Sequence, residues 1–286
     1  MSSLQVCAAT VGSRNVTHVM ENGIMSQLMK VRHLLFSALL LLVSPPLLAA
    51  SLADIIERVS PSVVGVGTSY PPRQPIGAER PNQLLGTGFA VGDGQYIVTN
   101  YHVLPELLDL ENKQVLAVFS GRGDDAVVRP ATLVAQDVLH DLALLRISSG
   151  PLPTLELSDA TNVREGDPVA FTGFPIGAVL GLYPVTHRGM VSSITPVART
   201  ADAARDLSAA QMLRMRNPFN VLQLDAIAYP GNSGSPVYHP DTGRVLGVVN
   251  SVFVKESREA VLERPSGITY VIPVVWVREL LARASP

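Results

Sequence analysis

YPGNSGSPVY, residues 229–238, places a serine inside a tight turn that is rich in glycine. Gly231 and Gly234 bracket Asn232 and Ser233, and a second serine and a proline follow. Glycine accepts backbone conformations that other residues rarely adopt, so such a turn can direct backbone N–H groups outward. The stretch is therefore either a solvated loop or the seat of a nucleophilic serine beside donors for a developing negative charge.

Short apolar runs separated by turn residues make up most of the chain between residues 62 and 273. They are rich in valine, isoleucine, threonine and aromatic residues, with about six strand candidates in each half, which predicts an all-β sandwich or barrel. The GDG at 92–94 indicates a hairpin turn. Helices are predicted only over 53–59 and 274–284, with two further turns possible over 208–216.

The composition is that of a folded protein. The 286 residues are 47% hydrophobic and 16% charged, with a formal net charge of −2. This apolar content supports a substantial core and excludes a disordered chain. Since no cluster of lysine and arginine stands out in the globular part, we expect no nucleic-acid partner.

The N-terminal region has the pattern of a secretory signal peptide. Residues 29–33, MKVRH, are basic, and the uncharged run LLFSALLLLVSPPLLAA follows at 34–50. We therefore predict a signal peptide over 29–50 and a periplasmic or secreted protein, the alternative being an uncleaved anchor in the inner membrane. We expect translation to begin at Met29 or Met25, or residues 1–28 to be a disordered leader.

The only cysteine, Cys7, lies upstream of the predicted signal peptide. The exported domain, residues 51–286, is therefore predicted to contain no disulfide, no thiolate zinc site and no cysteine nucleophile. Its N-terminal barrel is expected over about 62–148 and its C-terminal barrel over about 165–272. No metal or cofactor is expected.

Three residues in separate segments fit nucleophilic catalysis: His102 at the end of a strand, Asp141 before the apolar run 142–147, and Ser233 in the opening turn. A serine hydroxyl needs an adjacent base, and histidine, with an ordinary pKa near ~6.5, suits that role. A carboxylate fixes the tautomer of the imidazole. Each residue taken alone is more often a surface or capping residue, so only the three together indicate a catalytic site.

Three segments closely resemble the catalytic segments of trypsin-like serine proteases, most nearly the HtrA (Deg) type of bacterial envelope protease. They are GTGFAVGDGQYIVTNYHV (86–103), DLALLRI (141–147) and LQLDAIAYPGNSGSPVY (222–238). Further agreement comes from IIERVSPSVVGV (55–66), REGDPVAFTGFPIG (164–177) and GITYVIP (267–273). The resemblance covers residues 54–275 and implies two six-stranded antiparallel β-barrels with the active site in the cleft between them.

The resemblance also assigns roles. His102 is implied as the general base, Asp141 as its orienting partner and Ser233 as the nucleophile, with the N–H groups of Gly231 and Ser233 as the oxyanion hole. Asp137 is a rival carboxylate four residues away. Asp141 is preferred because DLALL is the form found in the family.

The chain departs from the family pattern at some positions. Ser235 stands where the family has the last glycine of GNSGG. The form with serine followed by proline is common elsewhere in the trypsin-like class. HtrA-type proteins usually carry PDZ domains after the protease, and because the chain ends at Pro286 we expect none here. His140, His187 and His239 match no family role and are interpreted as surface residues. The loops at 70–84, 197–220 and 252–266 are expected to control the oxyanion turn.

The resemblance also predicts specificity. In trypsin-like enzymes the residue six positions before the nucleophile lies at the base of the S1 pocket, which receives the residue preceding the cut. That residue is Ile227, and Val249 is expected in the pocket wall. Both are apolar, which favours cleavage after small aliphatic residues.

The sequence thus predicts a serine endopeptidase that acts on unfolded or damaged polypeptides, as a monomer or a homotrimer, without stable membrane insertion after signal cleavage. Two alternatives stay open. One is an HtrA-like binding or chaperone module with little turnover, and the other is a processing protease of narrow specificity.

Overall fold

The computed structural model describes residues 50–70, 82–159, 163–175, 181–197, 216–250 and 268–284, together with residues 25, 27, 29–33, 213 and 214. The chain divides into two compact units, residues 1–49 and 50–286, and both barrels lie in the second. In the first unit, residues 29–33 are helical.

Six antiparallel strands close the first barrel. Their spatial order is β1-β2-β3-β6-β5-β4, with β4 pairing back onto β1. Val63–Ser69 and Leu142–Ile147 are almost fully buried, as expected of strands that face a core on both sides. The strands are β1 Val63–Ser69, β2 Gln83–Val91, β3 Tyr96–Asn100, β4 Val115–Ser120, β5 Val127–Asp137 and β6 Leu142–Ile147.

A second closed barrel repeats this topology. Its spatial order, β7-β8-β9-β12-β11-β10, matches that of the first barrel strand for strand. The predicted fold of two six-stranded antiparallel barrels is thereby confirmed. The strands are β7 Pro168–Gly173, β8 Val185–Pro196, β9 Asn220–Leu224, β10 Pro236–Tyr238, β11 Val245–Asn250 and β12 Thr269–Pro273.

The helix α1, Leu52–Val59, precedes the first barrel. Ser51 caps it, accepting a hydrogen bond from the Asp54 N–H while the Asp54 carboxylate accepts one from the Ser51 N–H. Ile55 and Val59 are buried on one face, as the spacing of four residues requires. They pack beside the turn of the second barrel that contains Gly243, so α1 joins the two barrels.

The helix α2, Val274–Ala284, follows β12 directly and buries Val274, Val277 and Leu280. Although it leaves the second barrel, Arg283 reaches the end of β5 in the first, where its guanidinium donates to the Asp137 carboxylate at 2.8 Å. The helix therefore packs across both barrels.

Three hydrophobic clusters fill the protein. One lies inside the first barrel, a second lies inside the second barrel, and the largest lies between the barrels and includes residues of both helices. Val63, Phe89 and Leu142 contribute to this largest cluster from the first barrel, and Ala170 and Tyr238 contribute from the second. We call this region between the barrels the seam. Burial of apolar area along the seam holds the two barrels together and fixes the cleft between them.

The local predictions have different outcomes. The hairpin turn at 92–94 joins β2 to β3, and the helices at 53–59 and 274–284 are present. The short strand β10 lies inside the stretch that the sequence presents only as a turn. Residues 34–49, the apolar part of the signal peptide predicted over 29–50, lie outside the described residues, as do most of 208–216 and large parts of the three loops expected to control the turn. Among the described residues, no helix is long and apolar enough to span a membrane.

We expect Ile55→Ala to destabilise the protein by about 2–5 kcal/mol, because it removes a fully buried side chain and leaves a cavity between α1 and the second barrel. Ile56→Ala is the matched control, since Ile56 lies next to it on the helix but is only half-buried. Urea unfolding monitored by circular dichroism measures both. Equal losses of unfolding free energy in the two variants would show that α1 is not docked through Ile55.

Candidate active site

His102 lies at the end of β3, in a single 3₁₀ turn over Tyr101–Val103. The neighbouring Val103 is buried and packs into the first barrel, which holds the turn in place. The imidazole of His102 remains partly exposed at the seam between the barrels, where a substrate can reach it.

Asp141 lies in the turn between β5 and β6, directly before β6. Its φ of +54° is in the left-handed region, which is uncommon for a residue with a side chain. The backbone carbonyl of Asp141 accepts hydrogen bonds from the Tyr101 N–H and the Asn100 amide, both at 3.1 Å. These bonds hold the strained residue beside the His102 turn.

The Asp141 carboxylate is buried and has three donors. Its Oδ1 accepts from the His102 backbone N–H at 3.0 Å, and its Oδ2 accepts from His102 Nδ1 at 2.6 Å. The amide of Asn250, at the end of β11 in the second barrel, donates to the same Oδ2 at 2.6 Å. Donors from both barrels thus satisfy a charged group that is away from water.

Ser233 completes the chain of hydrogen bonds. Its Oγ lies 3.0 Å from His102 Nε2. Because a carboxylate only accepts, His102 Nδ1 carries the proton that faces Asp141, and Nε2 is left to accept from the Ser233 hydroxyl. The three residues that the sequence singles out in distant segments therefore form one connected arrangement.

The turn that carries Ser233 is fixed largely by Thr87 of β2. The Thr87 N–H donates to the Ser233 carbonyl at 2.8 Å, and its hydroxyl donates to the Gly231 carbonyl at 2.7 Å. The same hydroxyl accepts from the Phe174 N–H at 3.0 Å. A single threonine of the first barrel thus binds two carbonyls of the turn in the second.

Backbone conformation within the turn agrees with the need for glycine. Gly231 has φ +98° and Gly234 has φ +88°. The N–H groups of Asn232, Gly234 and Ser235 donate to nearby backbone carbonyls and stabilise the turn. The role of the Gly231 and Ser233 N–H groups as an oxyanion hole stays a prediction.

Ser235 stands where the family has glycine, and its side chain has room because Gly173 has no side chain. Its hydroxyl occupies the place where a Cβ on Gly173, at the end of β7, would lie. Ser235 and Asn232 are both fully buried in this region. The departure from GNSGG is therefore accommodated by the absence of a side chain at Gly173.

Asp137, the rival carboxylate, has other partners. Its carboxylate accepts from His140 Nδ1 at 2.9 Å and from the His140 N–H at 3.1 Å, in addition to the Arg283 guanidinium. Burial raises the pKa of the Asp137 carboxyl, but the hydrogen bonds from His140 and Arg283 outweigh it and leave the pKa below its ordinary value. The structure thus sets Asp141, and not Asp137, against His102.

The interpretation of His140 as a surface residue is wrong. His140 is only 6% exposed; its ring stacks on Trp276 of α2 at 3.7 Å between ring centroids and meets the edge of Phe219 at 4.5 Å. His187 and His239 are half-buried, and burial lowers the pKa of His187. A histidine directly before an aspartate gives no signal in the sequence that it will pack on a distant tryptophan.

Two residues of the site, Thr87 and Asn250, are not predicted from the sequence. The sequence around Thr87 indicates only that it lies in a strand. Asn250 ends the apolar run VLGVVN, and a polar amide in that position indicates a buried partner without saying which. Thr87 lies within β2 and Asn250 ends β11, and each side chain binds a residue of the other barrel.

The two predicted S1 residues lie in different surroundings. Ile227 is half-buried in the segment between β9 and the nucleophile turn. Val249 is fully buried in the hydrophobic cluster inside the second barrel. Of the two, only Ile227 presents accessible surface, and the pocket assignment stays a prediction. In the part of the chain that the structure describes, no group of three or more histidine, cysteine or acidic side chains could hold a metal ion.

Comparison with known proteins identifies the family. The family model described as a trypsin-like peptidase domain matches residues 86–248, more than half of the chain. The chain belongs to the trypsin-like peptidase family. That matched range begins one residue before Thr87 and includes His102, Asp141 and Ser233.

Relatives of the HtrA type agree with the predicted resemblance, which is confirmed. The serine protease Do-like HtrB of Bacillus subtilis is 30% identical over 227 residues, 73% of this chain and 43% of its own length. Mitochondrial serine protease HTRA2 of Bos taurus is 32% identical over 233 residues, 81% of this chain and 43% of its own length. A probable periplasmic serine endoprotease, DegP-like, of Rickettsia conorii is 29% identical over 262 residues, 82% of this chain and 46% of its own length.

A solved structure shares the fold. The serine endoprotease from Yersinia pestis superimposes with a TM-score of 0.54 at 23% identity, covering 82% of this chain and 66% of that chain. The chain spans less than half the length of these three relatives from Bacillus subtilis, Bos taurus and Rickettsia conorii.

We expect Gly234→Ala to destabilise the protein more than a conformational penalty alone explains. A left-handed φ costs a residue with a side chain roughly 1–2 kcal/mol, and a Cβ on Gly234 would also collide with the Thr87 carbonyl O. Gly92→Ala is the matched control, because Gly92 has φ +64° but its nearest neighbour, in Tyr96, lies 3.6 Å from the new Cβ. Urea titration should give a loss for Gly234→Ala at least twice that for Gly92→Ala, and similar losses would contradict the close approach of Thr87.

Proposed function

We propose that this trypsin-like peptidase is a serine endopeptidase that hydrolyses peptide bonds of unfolded or damaged proteins through a Ser–His–Asp triad. Ser233 is the nucleophile, His102 the general base and Asp141 the residue that orients the base. The single observation that carries this proposal is the continuous hydrogen-bonded chain from the Asp141 carboxylate through the His102 imidazole to the Ser233 hydroxyl.

The first half of the reaction acylates Ser233. As its Oγ attacks the carbonyl carbon of the substrate, the hydroxyl proton passes to His102 Nε2, which lies 3.0 Å away. The imidazolium that results is stabilised by the buried Asp141 carboxylate at Nδ1. The tetrahedral intermediate then expels the amine, which takes the proton from Nε2, and an acyl-enzyme ester remains.

The second half regenerates the enzyme. A water molecule gives its proton to His102 Nε2 and attacks the ester carbonyl carbon, and the proton returns to Ser233 Oγ as that oxygen leaves. The products are a free carboxylic acid and a free amine, so one water is consumed for each peptide bond. No metal or cofactor is required by these steps.

In both halves the carbonyl oxygen of the substrate becomes an oxyanion. The N–H groups of Gly231 and Ser233 are the proposed donors to it. Supporting this assignment is the left-handed φ of Gly231, together with the hold of Thr87 on the Gly231 and Ser233 carbonyls. A turn held in this way needs little rearrangement when charge develops.

Export of the protein rests on the pattern at residues 29–50, which is proposed to be a signal peptide, with residues 51–286 as the exported peptidase. One relative, from Rickettsia conorii, is described as a probable periplasmic endoprotease. Substrates in that setting would be envelope proteins that have lost their fold, since an extended segment is needed to enter the cleft.

Replacement of the two neighbouring aspartates separates their roles. We expect Asp141→Asn to lower kcat by roughly 10⁴ because the wrong tautomer of His102 would face Ser233. Asp137→Asn should change kcat little, because the Asp137 carboxylate contacts His140 and Arg283 instead of His102. Steady-state hydrolysis of a denatured protein labelled with a quenched fluorophore measures both.

Ser233→Ala serves as the reference for complete loss, on the order of 10⁶ in a comparable triad. Labelling of the wild-type protein by a fluorophosphonate, with the site assigned by mass spectrometry, should fall on Ser233. If the wild-type protein neither cleaves nor reacts, the peptidase proposal fails and a binding or chaperone role takes its place. If Asp137→Asn proves the crippling change, the orienting acid is wrongly assigned.

Specificity is proposed to follow from Ile227 at the base of the S1 pocket. An isoleucine carries no charge to pair with lysine or arginine, so a charged side chain would lose hydration there at a cost of several kcal/mol. A small aliphatic side chain would gain about 1–2 kcal/mol from burial. Val249, the residue proposed for the pocket wall, is apolar and offers no partner for an acidic side chain either.

We therefore expect cleavage after valine, alanine, isoleucine or leucine, and little after lysine, arginine, aspartate or glutamate. Digestion of a denatured protein, with the new C-termini identified by mass spectrometry, measures the preference. Ile227→Asp should move cleavage toward lysine and arginine, and Ile268→Asp, which changes an exposed isoleucine of the same barrel, is the control. A majority of cuts after acidic residues would favour a processing protease of narrow specificity over the broad activity proposed.

A further inference from the structure

The turn that leads into Asp141 is strained and must be held by its surroundings. Asp141 has φ +54°, and a residue kept in such a conformation costs on the order of 1–3 kcal/mol. Bonds from Asn100 and Tyr101 hold the Asp141 carbonyl. The two residues that come before His140 in the same turn, Val138 and Leu139, need a separate support.

Arg214 supplies that support from a distant part of the chain. Its Nε donates to the Leu139 carbonyl at 3.0 Å and its Nη2 donates to the Val138 carbonyl at 3.4 Å. The residue is only 8% exposed, so its guanidinium is directed inward and not into solvent. The planar guanidinium can bind two adjacent carbonyls at once, a geometry that a lysine ammonium does not reproduce.

The charge of Arg214 also acts on this turn. Burial lowers the pKa of the Arg214 guanidinium, and the negative charge of Asp141 opposes that effect. An arginine stays protonated in proteins, so a buried cation lies within electrostatic range of the proposed orienting carboxylate. A side chain that only covered the surface would require neither the charge nor the two carbonyls.

We propose that Arg214 is a positioning residue for Asp141: its guanidinium fixes the Val138 and Leu139 carbonyls and thereby keeps the Asp141 carboxylate in hydrogen-bonding geometry toward His102. This inference rests on the proposed peptidase function. The Arg214 guanidinium binds the Val138 and Leu139 carbonyls, three and two residues before Asp141, so its proposed effect passes through the position of Asp141.

A positioning role and a purely structural role make different predictions. Loss of a structural contact lowers the folded fraction and leaves the kinetic constants of the folded molecules unchanged. Loss of positioning lowers kcat in fully folded protein and leaves KM unchanged, since substrate binding does not involve the turn. A displacement of about 1 Å at a catalytic group can cost on the order of 10²-fold in rate.

The test compares Arg214→Met, Arg214→Lys and Arg216→Met. Arg216 lies two positions further along the chain and is exposed, so its change to methionine is the matched control. For Arg214→Met we expect kcat to fall roughly 10- to 100-fold with KM within about twofold of wild type, and Ser233 to react with a fluorophosphonate more slowly by the same factor. Arg214→Lys should recover part of the loss, because it keeps the charge and one donor nitrogen. Arg216→Met should match wild type.

A second readout does not depend on turnover. In protein labelled with ¹⁵N-histidine, the hydrogen-bonded Nδ1 proton of His102 should be observed in wild type and in Arg216→Met, and should exchange rapidly with solvent in Arg214→Met. Thermal unfolding confirms that each variant is folded under the conditions used. If the wild-type protein proves inactive, this proton signal still tests the inference separately from the peptidase proposal.

Two results would overturn the inference. The first is Arg214→Met that is folded and retains both the wild-type kcat and the His102 proton signal. The second is a loss of activity in Arg214→Met that is fully accounted for by the unfolded fraction. Loss of Ser233 labelling in every protein, together with a His102 signal that depends on Arg214, would reject the peptidase proposal and leave the positioning role intact.

Discussion

The buried Asp141 carboxylate needs hydrogen-bond donors from both barrels, and this need constrains how the barrels pack. A charge removed from water is costly unless donors surround it. The first barrel supplies two donors, both from His102, and the second supplies the amide of Asn250. Because neither barrel alone satisfies the carboxylate, the arrangement is complete only when the start of β6 and the end of β11 lie together. The hydrophobic cluster along the seam stabilises that meeting.

The nucleophile turn depends on the first barrel in a similar way. Its glycines can adopt the required backbone conformation, but glycine can also adopt many others. Thr87 selects one, since its N–H and its hydroxyl bind the carbonyls of Ser233 and Gly231. The Thr99 hydroxyl in turn donates to the Thr87 carbonyl at 2.7 Å, so the strand that holds the turn is itself held from within the first barrel. The shape of a loop in one barrel is thus determined by two threonines of the other.

The sequence predicts what depends on local pattern and the resemblance predicts what depends on motif. Apolar runs of strand length predict an all-β sandwich or barrel, and local pattern also predicts the GDG hairpin and both helices. The two six-stranded barrels follow from the resemblance. Contacts between side chains across the seam could not be predicted in this way, because the partners are more than a hundred residues apart in the chain, as Asn250 and Asp141 are. His140 fails for the same reason, since only the packed structure brings it onto Trp276.

The turn between β5 and β6 carries two carboxylates four residues apart, and packing gives them opposite tasks. Asp137 faces α2, where His140 and Arg283 supply its donors. These hydrogen bonds tie α2 to the first barrel. Because they occupy the Asp137 carboxylate, it does not compete with Asp141 for His102. Asp141 itself adopts a left-handed backbone conformation, and its carboxylate faces the seam instead. The strain at Asp141 is tolerated because hydrogen bonds from Asn100 and Tyr101 hold its carbonyl and hydrogen bonds from Arg214 hold the two residues before His140.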